Sequence, residues 1–117
     1  MKTRTLLAMA AALVSTSAGL AAAQGFQPSR PIEIVVHTGP GGGGDLMARA
    51  LAAAVDAEKL LPVRMTVTNK PGGGSAVAMA YLSEKKGEVH TIGIFTSTWV
   101  TNPLVRSEAT ITLANLT

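Results

Sequence analysis

The sequence predicts an α/β fold: a parallel sheet with helices on both faces. Two observations carry this expectation. Runs rich in β-branched residues alternate with stretches of helical period, in the order strand, glycine turn, helix, strand, glycine turn, helix, strand, and successive parallel strands need right-handed crossovers. The glycines fall at equivalent places in that order: residues 41–44 and 72–74 hold seven of the twelve in the chain, and each run leads from a strand into a helix. With strand order 2-1-3, the crossovers leave strand 1 in opposite directions and the helices cover opposite faces. Both helix N-termini and all three loops then gather at the carboxyl edge of the sheet.

Each element has its own justification. Residues 1–23 read as a signal peptide: Lys2 and Arg4 give a basic start, residues 6–14 an apolar run, and Ala21, Ala22 and Ala23 the small residues that signal peptidase requires, with cleavage after Ala23. Ser15, Thr16 and Ser17 break the run well short of the ~20 apolar residues that span a bilayer, so no membrane anchor is expected. Cysteine is absent, which removes disulfides and a lipid anchor. Residues 31–38 (PIEIVVHT) form a buried strand by their β-branched content. From Asp45 the period becomes helical, and Met47, Ala50, Leu51, Ala54 and Val55 mark the face expected against the sheet. Asp45 is the expected N-cap, and Pro62 follows the helix end. Residues 63–69 alternate as a second strand. Ser75 is a second expected cap, residues 76–86 carry helix formers with Met79 in the core, and Gly87 closes the segment. Residues 91–96 read as a third strand. Residues 97–102 read as a turn or short helix start that Pro103 interrupts, and residues 109–117 as a further extended segment.

Composition narrows the function. A 47% hydrophobic chain builds a packed core, while 3% aromatic residues exclude a stacking platform for nucleic-acid bases. The formal charge of +3 and pI of 9.7 include the leader. Without Lys2 and Arg4, eight basic residues face seven acidic ones, leaving no basic patch and no nucleic-acid partner.

The glycine turns carry the chemistry. A helix N-terminus presents unpaired N–H groups and about half a positive charge, and glycine lets a ligand reach that backbone with no Cβ in the way. Either turn alone reads equally as a tight connection. Two in equivalent positions favour an anion site. Gly39, Gly41 and Gly44 satisfy the dinucleotide pattern G-x-G-x-x-G, although a glycine run matches many patterns, and strand 2 ends in Asn69-Lys70 rather than an acid for the ribose. An NADP site would tolerate Lys70. The phosphate-loop pattern fails because Asp45 follows Gly44, and Ser75 lacks the second glycine of a nucleophile elbow. His37 and His90 read as strand-end residues, since no further ligand completes a metal set. Trp99 reads as either crevice wall or core. No catalytic residue, metal or cofactor is expected.

The stretches PSRPIEIVVHTGPGGGGDLMARALA, VTNKPGGGSAVAMAYL and TIGIFTSTWVTNPLV, behind a secretion signal, resemble the substrate-binding proteins of tripartite tricarboxylate transporters, the Bug family of extracytoplasmic solute receptors. The resemblance covers nearly all of residues 28–105. It implies a type II periplasmic-binding fold of two α/β domains, of which residues 24–117 would be an incomplete N-terminal domain. It implies a periplasmic location and a small carboxylate ligand: a di- or tricarboxylate, an acidic amino acid or an aromatic acid. The partners implied are membrane permease subunits. By position it assigns ligand contacts to Gly41, Gly42, Gly43, Gly44 and Asp45 in the first loop, Gly72, Gly73, Gly74 and Ser75 in the second, and Thr96, Ser97 and Thr98 after strand 3. Thr38 stands where many members have an aromatic residue, residues 96–103 run one residue short, and the sequence ends near where the family's first domain gives way to the second. A truncated chain is expected to bind weakly or not at all alone. The competing readings are an NADP-binding oxidoreductase fragment and a non-functional remnant.

Overall fold

The computed structural model describes residues 25–107 and 110–116, so the expected signal peptide lies outside the described residues. Three parallel strands, β1 (Ile32–Val36), β2 (Met65–Asn69) and β3 (Thr91–Gly93), form one sheet in the order β2-β1-β3. This is the predicted fold class and strand order. The strands are shorter than expected at their ends, though the ladder reaches one residue past β3, where the Ile94 N–H donates to Val35 O. Ile34 is level with both Val67 and Ile92. The central strand is covered on both faces, which is why its sequence is nearly continuously apolar rather than alternating.

Helix α1 (Gly43–Ala57) covers one face and helix α2 (Ala76–Glu84) the other, joined on its side by α3 (Ser97–Val105). Ile34, Val36 and Ala48 form the first core cluster, with Ala52, Met65, Val67 and Ile94 packed against it. Val35, Ala78, Met79, Leu82 and Trp99 form the second. Gly93 lets that second layer close on the strand: a Cβ there would lie 2.6 Å from Leu82 Cδ1.

Five local expectations are corrected. Helix α1 begins three residues early, with Gly42 rather than Asp45 as N-cap, so Asp45 sits inside the first turn rather than capping it. Its inward face is Asp45, Ala48 and the half-buried Ala52 and Val55, while Met47 is 64% and Leu51 45% exposed. The buried carboxylate of Asp45 sets the rotation of the helix, and the small alanines that follow at helical spacing let it lie close to the sheet. Ser75 does occupy the N-cap position of α2, but its side chain makes no capping bond; its hydroxyl lies 3.8 Å from Met79 Sδ. Pro103 does not end α3, which continues to Val105. The proline forfeits one backbone bond, and Asn102 just before it is pinned from outside the helix. In the expected extended tail, the described residues form a 3-10 turn (Leu113–Asn115) closed by Thr112 and Asn115, whose side chain accepts from the Thr112 N–H at 2.7 Å.

Candidate functional site

Because all three strands run parallel, the loops after β1, β2 and β3 emerge at one edge. Side chains then stitch them together in pairs. Asn69, ending β2, donates through Nδ2 to Thr38 O and to Asp45 Oδ1, both at 2.9 Å, fastening the first loop to the second strand. Asn102 of α3 is buried and donates to Gly73 O at 3.0 Å, fastening the second loop to the third helix. His37, just past β1, meets Trp99 Nε1 at 3.2 Å and Thr96 Oγ1 at 3.3 Å, fastening the first strand end to the third loop.

The first loop is ordered around Asp45. Its carboxylate accepts from the Gly41 N–H at 2.8 Å, from Asn69, and from Arg49 Nε at 3.0 and 3.1 Å. The Arg49 side chain foremost, then the Gly41 N–H and Asn69, hold this carboxyl well below the usual carboxylate range. The Asp45 N–H donates to Thr38 Oγ1 at 3.1 Å. Gly41 turns with φ +80°, and Gly42 is forced by space: a Cβ there would lie 2.8 Å from Thr38 Cβ. Gly43 is different, since nothing lies within 4 Å of where its Cβ would be.

The second loop is built from four consecutive left-handed residues: Gly72 (φ +128°), Gly73 (+58°), Gly74 (+60°) and Ser75 (+86°). L side chains resist this conformation, so three glycines in a row answer a backbone demand. Ser75 carries the same demand with a side chain, and it is held by burial: the residue is 1% exposed.

Among the described residues, the N–H groups of Gly43, Gly44, Gly73 and Gly74 have no intramolecular partner. They are the orphan donors that a helix start leaves behind. Gly41 and Asp45, by contrast, spend their N–H groups on the loop itself, and Gly42 donates to Gly39 O at 3.0 Å. In the third loop, Thr96 Oγ1 and Thr98 Oγ1 are 2.9 Å apart, and Ser97 opens α3. Two hollows of about 260 and 290 Å³ lie beside Leu82 and Phe95, and between α3 and the 3-10 turn, and neither touches a glycine loop.

His37, by sequence a plain strand-end residue, stands at this edge with both ring nitrogens engaged. Nothing local announces a contact to Trp99 across 62 positions. Trp99 resolves as core, fully buried, with its one polar atom reaching the rim. His90 lies at the opposite end of the sheet, where its Nε2 accepts from the Ser29 N–H at 3.3 Å and Glu88 bonds its backbone. Glu88 also pairs with Arg30. Lys70, on which an NADP site would depend, holds its ammonium 4.2 Å over the Tyr81 ring, and Asn69 is committed to the first loop. Among the described residues no group of His, Cys, Asp and Glu could hold a metal ion, and no helix is long and apolar enough to cross a membrane.

No family model matches this sequence, and no curated protein does. The fold is similar to the crystal structure of a TctC solute-binding protein from Polaromonas, solved with no ligand, at 37% sequence identity and a TM-score of 0.60. The match covers 67% of this chain and 26% of that one, so this chain corresponds to about a quarter of the length of its relative. With sequence and fold in agreement over the matched region, the chain belongs to the family of TctC solute-binding proteins, and its sheet is part of a periplasmic-binding-protein fold.

Proposed function

We propose that the glycine rim is one lip of a ligand cleft in a periplasmic receptor, which captures a small carboxylate and delivers it to the permease of a tripartite tricarboxylate transporter. One observation carries the reading: four backbone N–H groups on two loops have no partner among the described residues at a single sheet edge. A hydrogen bond to a charged partner contributes about 1.5–3 kcal/mol. Four of them reach the ~8 kcal/mol of micromolar binding before the costs of ordering and immobilisation are met. The remainder would come from a second domain closing over the ligand and excluding water.

Asp45 enters this reading as a support rather than a contact. Its carboxylate faces four donor contacts within the protein, and a free carboxylate at the rim would repel the ligand. The reading contains no catalytic step. Residues 1–23 would direct export and be removed.

The test is an NMR titration of the ¹⁵N-labelled chain with citrate, succinate, glutamate and benzoate, each at millimolar concentration, since chemical shifts report contacts too weak for calorimetry. Shifts are expected first at the amides of Gly43, Gly44, Gly73 and Gly74. Shifts confined to other regions, or none with any of the four acids, would refute the carboxylate reading. NADPH is the contrasting probe, and a response to it alone would favour a nucleotide site.

A further inference from the structure

We propose that His37 is a positioning residue for ligand binding: it fixes the direction of a hydrogen-bond chain that ends in a donor on Thr98. This rests on the carboxylate reading of the rim. The indole Nε1–H can only donate, so His37 Nδ1, 3.2 Å away, is an acceptor and carries no proton. The single proton of the ring therefore sits on Nε2. From there it donates to Thr96 Oγ1 at 3.3 Å. Accepting that bond polarises the Thr96 O–H and favours it as the donor to Thr98 Oγ1, 2.9 Å away. Thr98 thereby accepts from within, and its own proton has no acceptor among the described residues. The half-buried Thr98 hydroxyl is left to donate to a ligand oxygen.

The origin of the chain is rigid. Trp99 is fully buried and packed edge-on against Phe95 at 4.9 Å and against His37 at 6.1 Å between ring centroids, so the indole cannot turn away. A buried donor thus fixes the His37 tautomer and, through it, biases the sense of two hydroxyls at the rim. Without it each hydroxyl would sample three staggered positions, which weakens binding about threefold for each, or roughly tenfold together. The third loop then joins the two glycine loops in presenting a donor at the rim, which suits a carboxylate.

Two variants separate the roles of the ring nitrogens. In His37→Gln the side-chain amide reaches the Nε2 position and still donates to Thr96; in His37→Asn the oxygen stands in for Nδ1 and satisfies Trp99, but nothing drives Thr96. The tautomer is read directly from two-bond ¹H–¹⁵N correlations of ¹⁵N-histidine-labelled protein at neutral pH, and binding from titration with whichever of the four acids shifts the glycine amides most. The expected result is a protonated Nε2 with an unprotonated Nδ1, His37→Gln within about threefold of the parent, His37→Asn weaker by three- to tenfold, and Thr98→Val weaker by about tenfold or more while Thr98→Ser retains affinity. A protonated Nδ1 would overturn the chain. So would glycine amides that respond to the acid equally in the parent and in Thr98→Val, an outcome that leaves the carboxylate reading intact. Glycine amides silent to all four acids would refute that reading and this proposal with it.

Discussion

Gly43→Ala should stabilise the fold and damage the site, and the opposed signs make it the most informative substitution. Gly43 is the first residue of α1, and nothing lies within 4 Å of where its Cβ would stand. It needs no left-handed backbone, unlike Gly41 or Gly72. Glycine inside a helix costs about 0.5–1 kcal/mol relative to alanine. The first position feels the lower part of that range, so a gain of about 0.5 kcal/mol is expected, or roughly 2–4 °C in Tm for a domain of this size. A helical Cβ tilts towards the N-terminus, which here means towards the rim. The new methyl would stand between the orphan N–H groups of Gly43 and Gly44 and an approaching carboxylate, and the shifts at those amides should fall by about tenfold or more in affinity, the equivalent of one lost charged hydrogen bond. Thermal melts by circular dichroism and the NMR titration read the two effects separately. A destabilised variant would show that the space above Gly43 is not open. A stabilised variant that binds the acid as well as the parent would show that no ligand approaches this backbone.

Three further substitutions and a pH series extend the argument. Gly42→Ala places a Cβ 2.8 Å from Thr38 Cβ, an atom fixed to the backbone rather than the end of a flexible side chain, and should cost about 1–3 kcal/mol in chemical denaturation; an unchanged midpoint would contradict the tight first turn. Gly72→Ala forces an L residue to φ +128° and ψ 155°, a region that glycine almost alone adopts, at a cost of about 1–3 kcal/mol by the same measurement. Gly93→Ala drives Leu82 out of its packed position and should destabilise by about 1–3 kcal/mol, with the near-ultraviolet signal of Trp99 altered. The Asp45 carboxyl is held below its unfolded value of about 3.9, so its contribution is fully present above that value and fades as pH falls towards the folded one. Melting temperatures should therefore drop between about pH 5 and pH 2 more steeply in the parent than in Asp45→Asn; parallel curves would refute the assignment.

The layered fold was legible because its signals are local. Each strand announces itself by β-branched content, each crossover by a glycine turn at a helix start, and parallel order follows from the alternation. The phase of α1 was not legible. Its apolar residues are spread widely enough to suggest a face through Met47 and Leu51, and the residue that settles the rotation is a buried acid whose partners, Gly41, Asn69 and Arg49, are chosen by the tertiary fold. Asp45 therefore has the sequence signature of a cap but serves as an internal tie. Pro103 has the sequence signature of a stop, because the sequence does not disclose that Asn102 is held by Gly73 O. The position of the rim could be deduced from topology, but the His37–Trp99 contact joins residues 62 apart and leaves no periodic trace.

The left-handed second loop has a consequence for how recognition could diverge among related proteins. An anchor made of peptide groups is blind to side chains, and three of its four positions admit only glycine without strain. Such an anchor offers mutation nothing to tune. Under the carboxylate reading, any change of preferred acid would have to be inscribed in the neighbours that do carry variable side chains, such as Thr38 and Thr98, while the grip on the shared chemical handle stays constant.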